Sequence, residues 1–172
     1  RMHVAVLLTG EYKGQEWFDH NQLEWLKQDL AKAKAEKEAG NLDWVIVAAH
    51  HSVFTSGEHF MDANAYAMFD EGYYVDVIEE NGAVDMVFGA HDHDYERTKN
   101  IRGFRWREDG GNGEPAFYKL DGATVEEASG QFGTATQGKG TIWFVLGGAG
   151  AGQRDTYPFE KLGEASHIAF RK

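Results

Sequence analysis

Two histidines, His91 and His93, directly follow a short run of alternating apolar residues at positions 84–88. Side chains two residues apart in an extended segment point to the same side, so these imidazoles can converge on one small volume. Neutral imidazole nitrogens are among the commonest metal ligands in proteins. The pair therefore indicates a metal site, with an ordinary surface turn as the alternative interpretation in a chain of 172 residues with 8 histidines.

A third histidine, His50, follows another apolar run at residues 44–49. A short, continuously apolar run is typical of a strand that is covered on both faces in a parallel sheet. Open α/β sheets place their sites at the carboxyl ends of such strands. We therefore expect His50, His91 and His93 to meet at one edge of a sheet, although they are far apart in sequence.

Apolar periodicity predicts that strands and helices alternate along the chain. The predicted elements are a buried strand at 2–8, an amphipathic helix at 21–40, a strand at 44–49, a helical region at 62–80, a strand at 84–88 and a strand at 141–146. Asn21 and Glu24 have the spacing of a capping box, and Gly40 and Gly82 mark helix ends. The alternation is typical of an α/β domain.

Composition excludes several classes of protein. The formal charge of −11 argues against a nucleic-acid partner, and no apolar stretch is long enough to insert in a membrane. The absence of cysteine excludes disulfides and thiolate sites but leaves the compartment undecided. Because the chain opens directly on a predicted strand, we expect it to be a fragment, a processed half or a subunit.

Three segments carry a resemblance to a known family: V-A-A-H at residues 47–50, H-D-H-D-Y-E-R-T at 91–98, and G-T-I at 140–142 with a glycine run at 147–152. In this order they resemble the purple acid phosphatases, a branch of the calcineurin-like metallophosphoesterases. The family's fourth block is a strand ending in V-x-x-H, and its fifth is G-H-x-H. The similarity spans most of residues 1–155.

The resemblance implies an α/β fold that is half of a calcineurin-like metallophosphoesterase β-sandwich flanked by helices, in the order β-α-β-α-β, then a long loop and further strands. Residues 1–172 would form a single partial domain, the carboxyl-terminal half of the catalytic domain. Residues 99–140 would form a long Gly-rich insertion or a hairpin loop.

The resemblance also implies roles for four histidines. His50 and His91 match ligands of a second metal, usually Zn, Mn or Fe(II), and His93 matches a ligand of a first metal, often Fe(III). His59 lies near a histidine that in relatives contacts the substrate phosphate or protonates the leaving group, so it is the predicted catalytic and substrate-binding residue. The alternative for His59 is a solvent-exposed loop histidine.

The neighbours of these histidines are expected to be structural. If the strand continues, His51 points away from His50, toward packing or solvent, and Asp92 points away from the ligands. The segment 95–97, Tyr-Glu-Arg, is expected to brace the histidine loop. Ala90 replaces the family's glycine before the first histidine, and Asp94 stands where Asn is common.

The family's first three blocks, D-x-G, G-D-x-x-Y and G-N-H, are absent from the residues that precede the fourth block. These blocks supply the remaining ligands, including the carboxylate that bridges both metals. Three imidazoles alone cannot hold two cations about 3.5–4 Å apart. We therefore expect an incomplete site that a missing amino-terminal half or a partner chain completes.

Two glycine-rich segments resemble nucleotide-binding motifs, but neither has the full residue pattern of such a motif. Residues 133–140 nearly match the P-loop, but Gly140 replaces the hydroxyl residue and a strand follows instead of a helix. Residues 147–152 lack the G-x-G-x-x-G order, so a tight turn near the metal edge is the better interpretation.

The sequence thus predicts hydrolysis of phosphate esters at a two-metal site once the missing half is present, with the isolated chain inactive. The alternative is a non-catalytic half-domain that acts as a structural subunit or scaffold. Half a sheet should leave an unpaired strand edge, and therefore poor solubility or tight association. The resemblance favours a secreted, periplasmic or vacuolar location.

Overall fold

Strands and helices alternate in the first part of the chain, as the apolar periodicity predicts. The computed structural model describes residues 1–9, 20–61, 74–102, 124–126, 136–150, 152, 156 and 168–171. The elements are β1 (Met2–Leu7), α1 (His20–Glu38), β2 (Trp44–His51), a short 3-10 helix (Glu58–Met61), α2 (Tyr74–Asn81), β3 (Met86–Ala90), β4 (Tyr95–Thr98), β5 (Asn100–Arg102), β6 (Thr124–Glu126), β7 (Ile142–Leu146) and β8 (Ile168–Arg171).

Six of the strands form one sheet in the order β1-β2-β3-β7-β4-β8. The first four run parallel, whereas β4 is antiparallel to both β7 and β8. The predicted α/β class is therefore confirmed. Within the stretch 99–140, β5 and β6 pair antiparallel as a separate ribbon. Residues 103–123 and 127–135 lie outside the described residues, so the extent of a loop or insertion there stays a prediction.

The centre of the sheet is apolar on both faces. Val45, Ile46 and Val47 of β2 are buried between the neighbouring strands β1 and β3, as expected for a covered parallel strand. Helix α1 buries an apolar stripe made of Leu23, Leu26, Leu30 and Ala33. The helix ends two residues before Gly40 and α2 ends one residue before Gly82, at the predicted positions.

The first strand differs from its prediction. Ala5 and Leu7 are buried, but the alternate residues Val4 and Val6 are 47% and 69% exposed, and Met2 and Leu8 are 64% and 69% exposed. The apolar run predicts a buried strand, whereas β1 lies at the end of the described sheet and buries one face. The uncovered side chains form an apolar row, which we call the β1 row: Met2, Val4, Val6 and Leu8.

None of the helices in the described part of the chain combines the length and the apolar character that a membrane span needs.

A buried ion pair joins the first helix to the middle of the sheet. The Lys37 ammonium of α1 donates to both carboxylate oxygens of Asp85, at 2.6 and 2.7 Å. The Val45 amide of β2 donates to the same carboxylate at 2.8 Å. Asp85 is 6% exposed and directly precedes β3, so one carboxylate connects α1, β2 and β3.

We expect Asp85→Asn to lower the free energy of unfolding by about 2 kcal/mol, because it removes the charged acceptor of the half-buried Lys37 ammonium. Urea denaturation followed by circular dichroism measures this loss. The control is Asp43→Asn, which removes an exposed carboxylate that pairs with the amino terminus at 2.6 Å. A loss no larger than that of the control would contradict the prediction.

Candidate metal centre

The parallel pairing of β2 with β3 brings three histidines together. His50 and His51 close β2, and His91 follows the last residue of β3. Parallel strands end at the same edge of a sheet, so His50 and His91 meet as the sequence predicts. The Nδ1 atom of His91 lies 3.2 Å from Nε2 of His50.

An irregularity in β2 adds His51 to this group. Ala48 pairs with Phe88 and His51 pairs with Ala90, so β2 contains one residue more than β3 between the two pairs. Such a bulge breaks the alternation of side chains, which is why His51 does not turn away. Its ring centroid lies 4.4 Å from that of His91 and 4.8 Å from that of His50.

The expectation for His51 is thus only partly right. The residue is buried, and both its amide and its Nδ1 atom contact the Thr9 hydroxyl oxygen, at 3.0 and 3.1 Å. However, one ring nitrogen each of His50, His51 and His91 lie within 4.8 Å of one another. Burial, together with the His91 and His50 rings, lowers the pKa of His51 to about 4, so its ring is neutral at pH 7.

His91 has an uncommon backbone conformation. Its φ angle is 70°, and it is the one residue other than glycine with a positive φ in the described part of the chain. The left-handed region costs an ordinary residue about 1–2 kcal/mol. Conformations of this kind are concentrated at active and binding sites, where the surrounding structure enforces them.

The turn that carries His91 and His93 crosses over the end of β7, because β7 lies between β3 and β4 in the sheet. Gly147 follows β7 directly beneath this turn, and a Cβ atom there would overlap the carbonyl oxygen of Asp92. The glycine run after β7 therefore forms the tight turn at the histidine edge that the sequence indicates.

The structure places His93 in the same turn, half-buried, but outside the group of three histidines whose ring nitrogens lie together among the described residues. His59 lies in the 3-10 helix, and its ring centroid is 4.1 Å from that of His91. His59 is thus brought to the predicted edge by a segment that folds back over the end of β2.

Two buried acids brace this edge from below. Asp92 is not a member of the histidine group, and it accepts hydrogen bonds from the Thr55 hydroxyl and the His59 amide. Glu96 accepts from the Ser56 amide at 2.7 Å and from the Thr55 hydroxyl at 3.2 Å. The expected bracing role of residues 95–97 thus rests on Glu96.

Sequence reasoning did not identify the hydroxyl residues of this layer. Thr9 contacts His51, Ser52 donates to the Ala90 carbonyl at 2.9 Å, and Thr55 bridges Asp92 and Glu96. The sequence offered one usable signal, since three hydroxyl residues cluster at positions 52–56 directly after the His-His pair.

The donor atoms fit a single cation better than two. Nitrogens that share one tetrahedral metal at about 2.0–2.1 Å lie about 3.3 Å apart, and the His50–His91 separation of 3.2 Å is close to this value. Among the described residues the group contains histidines and no carboxylate. A second cation would need ligands from elsewhere, as the missing sequence blocks predict.

Glu96 should make stability depend on pH. Burial, and next the Asp94 carboxylate, raises the pKa of Glu96 from 4.5 to about 8. The folded state therefore holds a proton that the unfolded chain releases near pH 4.5. The stabilisation that this bound proton gives to the folded state is complete below pH 4.5 and is lost as pH rises toward 8.

In the wild-type chain the free energy of unfolding should fall by up to about 1.4 kcal/mol per pH unit across this window. We expect Glu96→Gln, which mimics the protonated acid, to abolish this pH dependence. Urea denaturation of the metal-free chain between pH 5 and pH 8.5 measures the difference. Glu80→Gln, at an exposed position of α2, is the matched control. Parallel curves for the wild-type chain and Glu96→Gln would overturn the assignment.

Comparison with known proteins supports the resemblance drawn from the sequence. The calcineurin-like phosphoesterase family profile matches residues 4–95, more than half of the chain. A phosphoenolpyruvate phosphatase from Allium cepa is 30% identical over 92 residues, which cover 53% of this chain and 17% of the relative. Purple acid phosphatase 1 from Ipomoea batatas is 31% identical over 102 residues, 59% of this chain and 20% of the relative.

A solved structure has a similar fold. The purple acid phosphatase PPD1 from yellow lupin, Lupinus luteus, superposes with a TM-score of 0.55 at 20% identity, over 99% of this chain and 24% of its own. The chain thus spans about a fifth of the length of the two curated relatives. By its sequence profile and its fold, the chain belongs to the calcineurin-like phosphoesterase family.

Proposed function

We propose that this chain forms the carboxyl-terminal half of a two-metal site that hydrolyses phosphate esters, as an acid phosphatase or a phosphodiesterase. The observation that carries the proposal is the convergence of His50, His91 and His59 at the carboxyl edge of a parallel sheet. The two curated relatives are named as phosphatases, and one as a purple acid phosphatase, which supports this reaction class.

The histidines divide into ligands and a substrate group. His50 and His91 would hold one cation, Zn, Mn or Fe, and His93 would contribute to a second site that holds Fe. When bound, the cations would supply the positive charge that stabilises the phosphoryl oxygens during displacement. The Thr9 contact fixes the ring of His51, which would border the cation held by His50 and His91.

His59 would donate a proton to the leaving oxygen or hold the phosphate. Its ring lies beside His91 and is half-buried, so a phosphate bound at the cation side of His91 would lie within reach of it. The Glu58 carboxylate lies 3.6 Å from its Nε2 atom.

The site would be completed by an amino-terminal half or a partner chain. The histidine group of the described residues contains no carboxylate, so a bridging ligand must come from outside it. The β1 row lies on the edge strand next to β2, whose last residues carry His50. We propose that the completing segment covers this row and brings the carboxylates with it.

The rival function is a non-catalytic half-domain that serves as a scaffold, which the absence of a carboxylate from the histidine group favours. Metal analysis of the chain with and without its completing segment distinguishes the two. Stoichiometric metal with that segment supports the enzyme, and no metal in either state supports the scaffold.

We expect His91→Ala to reduce both bound metal and phosphatase activity by at least about 100-fold in the completed protein, because it removes a ligand. Elemental analysis and release of phosphate from an aryl phosphate measure the two effects. The matched control is His3→Gln, which alters a histidine that pairs with Asp29 at 2.6 Å on the amino-terminal strand. Wild-type metal content and activity in His91→Ala would refute the assignment.

We expect the isolated chain to self-associate through the β1 row and Val6→Asp to reduce this association, since a charge there opposes burial. The same substitution should prevent completion by the amino-terminal segment. Sedimentation velocity measures both effects. Trp25→Asp is the control, because Trp25 is an apolar residue of α1 that is 45% exposed. A monomeric wild-type chain would count against the proposed surface.

A further inference from the structure

We propose that Asp92 is the positioning residue that holds His59 beside His91. The proposal rests on the proposed function in one respect, that His59 acts on the substrate. Asp92 is 2% exposed and lies between the two histidines of the turn, with its carboxylate bonded to Thr55 and to the His59 amide. It is therefore placed to act through other residues instead of on the substrate.

The two oxygens of Asp92 hold the two ends of one short segment. Oδ1 accepts a hydrogen bond from the His59 amide at 3.0 Å. Oδ2 accepts from the Thr55 hydroxyl at 2.5 Å. Residues 55–59 are thus attached at both ends to a single carboxylate, which lies one residue from His91.

Further contacts hold the middle of the segment. The Gly57 amide donates to the Thr55 hydroxyl oxygen at 3.0 Å, and the Ser56 amide donates to Glu96 at 2.7 Å. The Thr55 hydroxyl has one proton and two acceptors within reach, Asp92 and Glu96 at 3.2 Å. The Ser56 amide therefore connects the segment to β4, whereas the Gly57 amide bonds within the segment.

Gly57 shows how closely the segment lies on the carboxylate. A Cβ atom at this position would overlap Cγ of Asp92. Only glycine permits this approach, so a shift of the segment in the direction of the turn is blocked by the carboxylate itself.

These contacts explain why the rings of His59 and His91 lie 4.1 Å apart although 32 positions separate the residues. The His59 backbone is bonded to Asp92, and Asp92 is covalently linked to His91. A movement of the turn therefore carries His59 with it, and the rings of His91 and His59 keep their relative position.

The experiment is NMR of the metal-free 172-residue chain with labelled histidine rings, which records the cross-peak between the His59 and His91 rings. Asp92→Ala removes both acceptors, and we expect it to lose this cross-peak. Asp92→Asn should keep it, because the amide oxygen accepts from the His59 amide while the Thr55 hydroxyl donates to Glu96. Asp43→Asn, which removes the exposed carboxylate that pairs with the amino terminus, should also keep it.

The proposal is overturned if Asp92→Ala retains the cross-peak or if Asp43→Asn loses it too. Should Asp92→Ala fail to fold, Thr55→Val and Thr55→Ser provide the test. Thr55→Val should weaken the cross-peak and Thr55→Ser should preserve it, and equal spectra for the two would overturn the proposal. The measurement needs neither metal nor substrate, so a failure of the phosphatase assay with the expected spectra rejects the proposed reaction alone.

Discussion

The parallel pairing of β2 with β3 is the constraint on which the rest of the structure depends. It places the last residues of two strands at one edge, and with them the three histidines whose ring nitrogens lie together. The same pairing requires a crossover connection that covers a face of the sheet. The buried Asp85 carboxylate, which contacts both Lys37 and the β2 amide of Val45, fixes where β3 begins relative to β2. The parallel pairing of β2 with β3 therefore determines both the position of the site and much of the stability of the domain.

A layer of buried acids and hydroxyl groups supports the histidine edge. Burial of carboxyl groups is costly unless hydrogen bonds or protons compensate for it. Hydrogen bonds from the His59 amide and the Thr55 hydroxyl offset the cost of burying Asp92. The Ser56 amide and a retained proton offset the cost of burying Glu96.

Much of the fold follows from patterns that are local in sequence. The apolar runs predict β2, β3 and β7, the helical spacing predicts α1, and the strand ends predict that His50 meets His91. Two features could not be predicted in this way. The bulge before His51 depends on register between strands, and the exposure of the β1 row depends on what covers the sheet. The hydrogen bonds of Asp92 could not be predicted from the sequence either, because they join residues 33 and 37 positions apart.

The strand order has a consequence for how the histidine edge forms during folding. β3 and β4 are consecutive in the chain, yet β7 lies between them, so β4 joins the sheet beside β3 only through residues 142–146. Closing a long loop before its contacts form is slow compared with local pairing. The turn at 91–94 therefore acquires its final shape only after a distant segment arrives. A chain interrupted before β7 would contain His50, His51 and His91 and still lack the strand under the turn that carries His91.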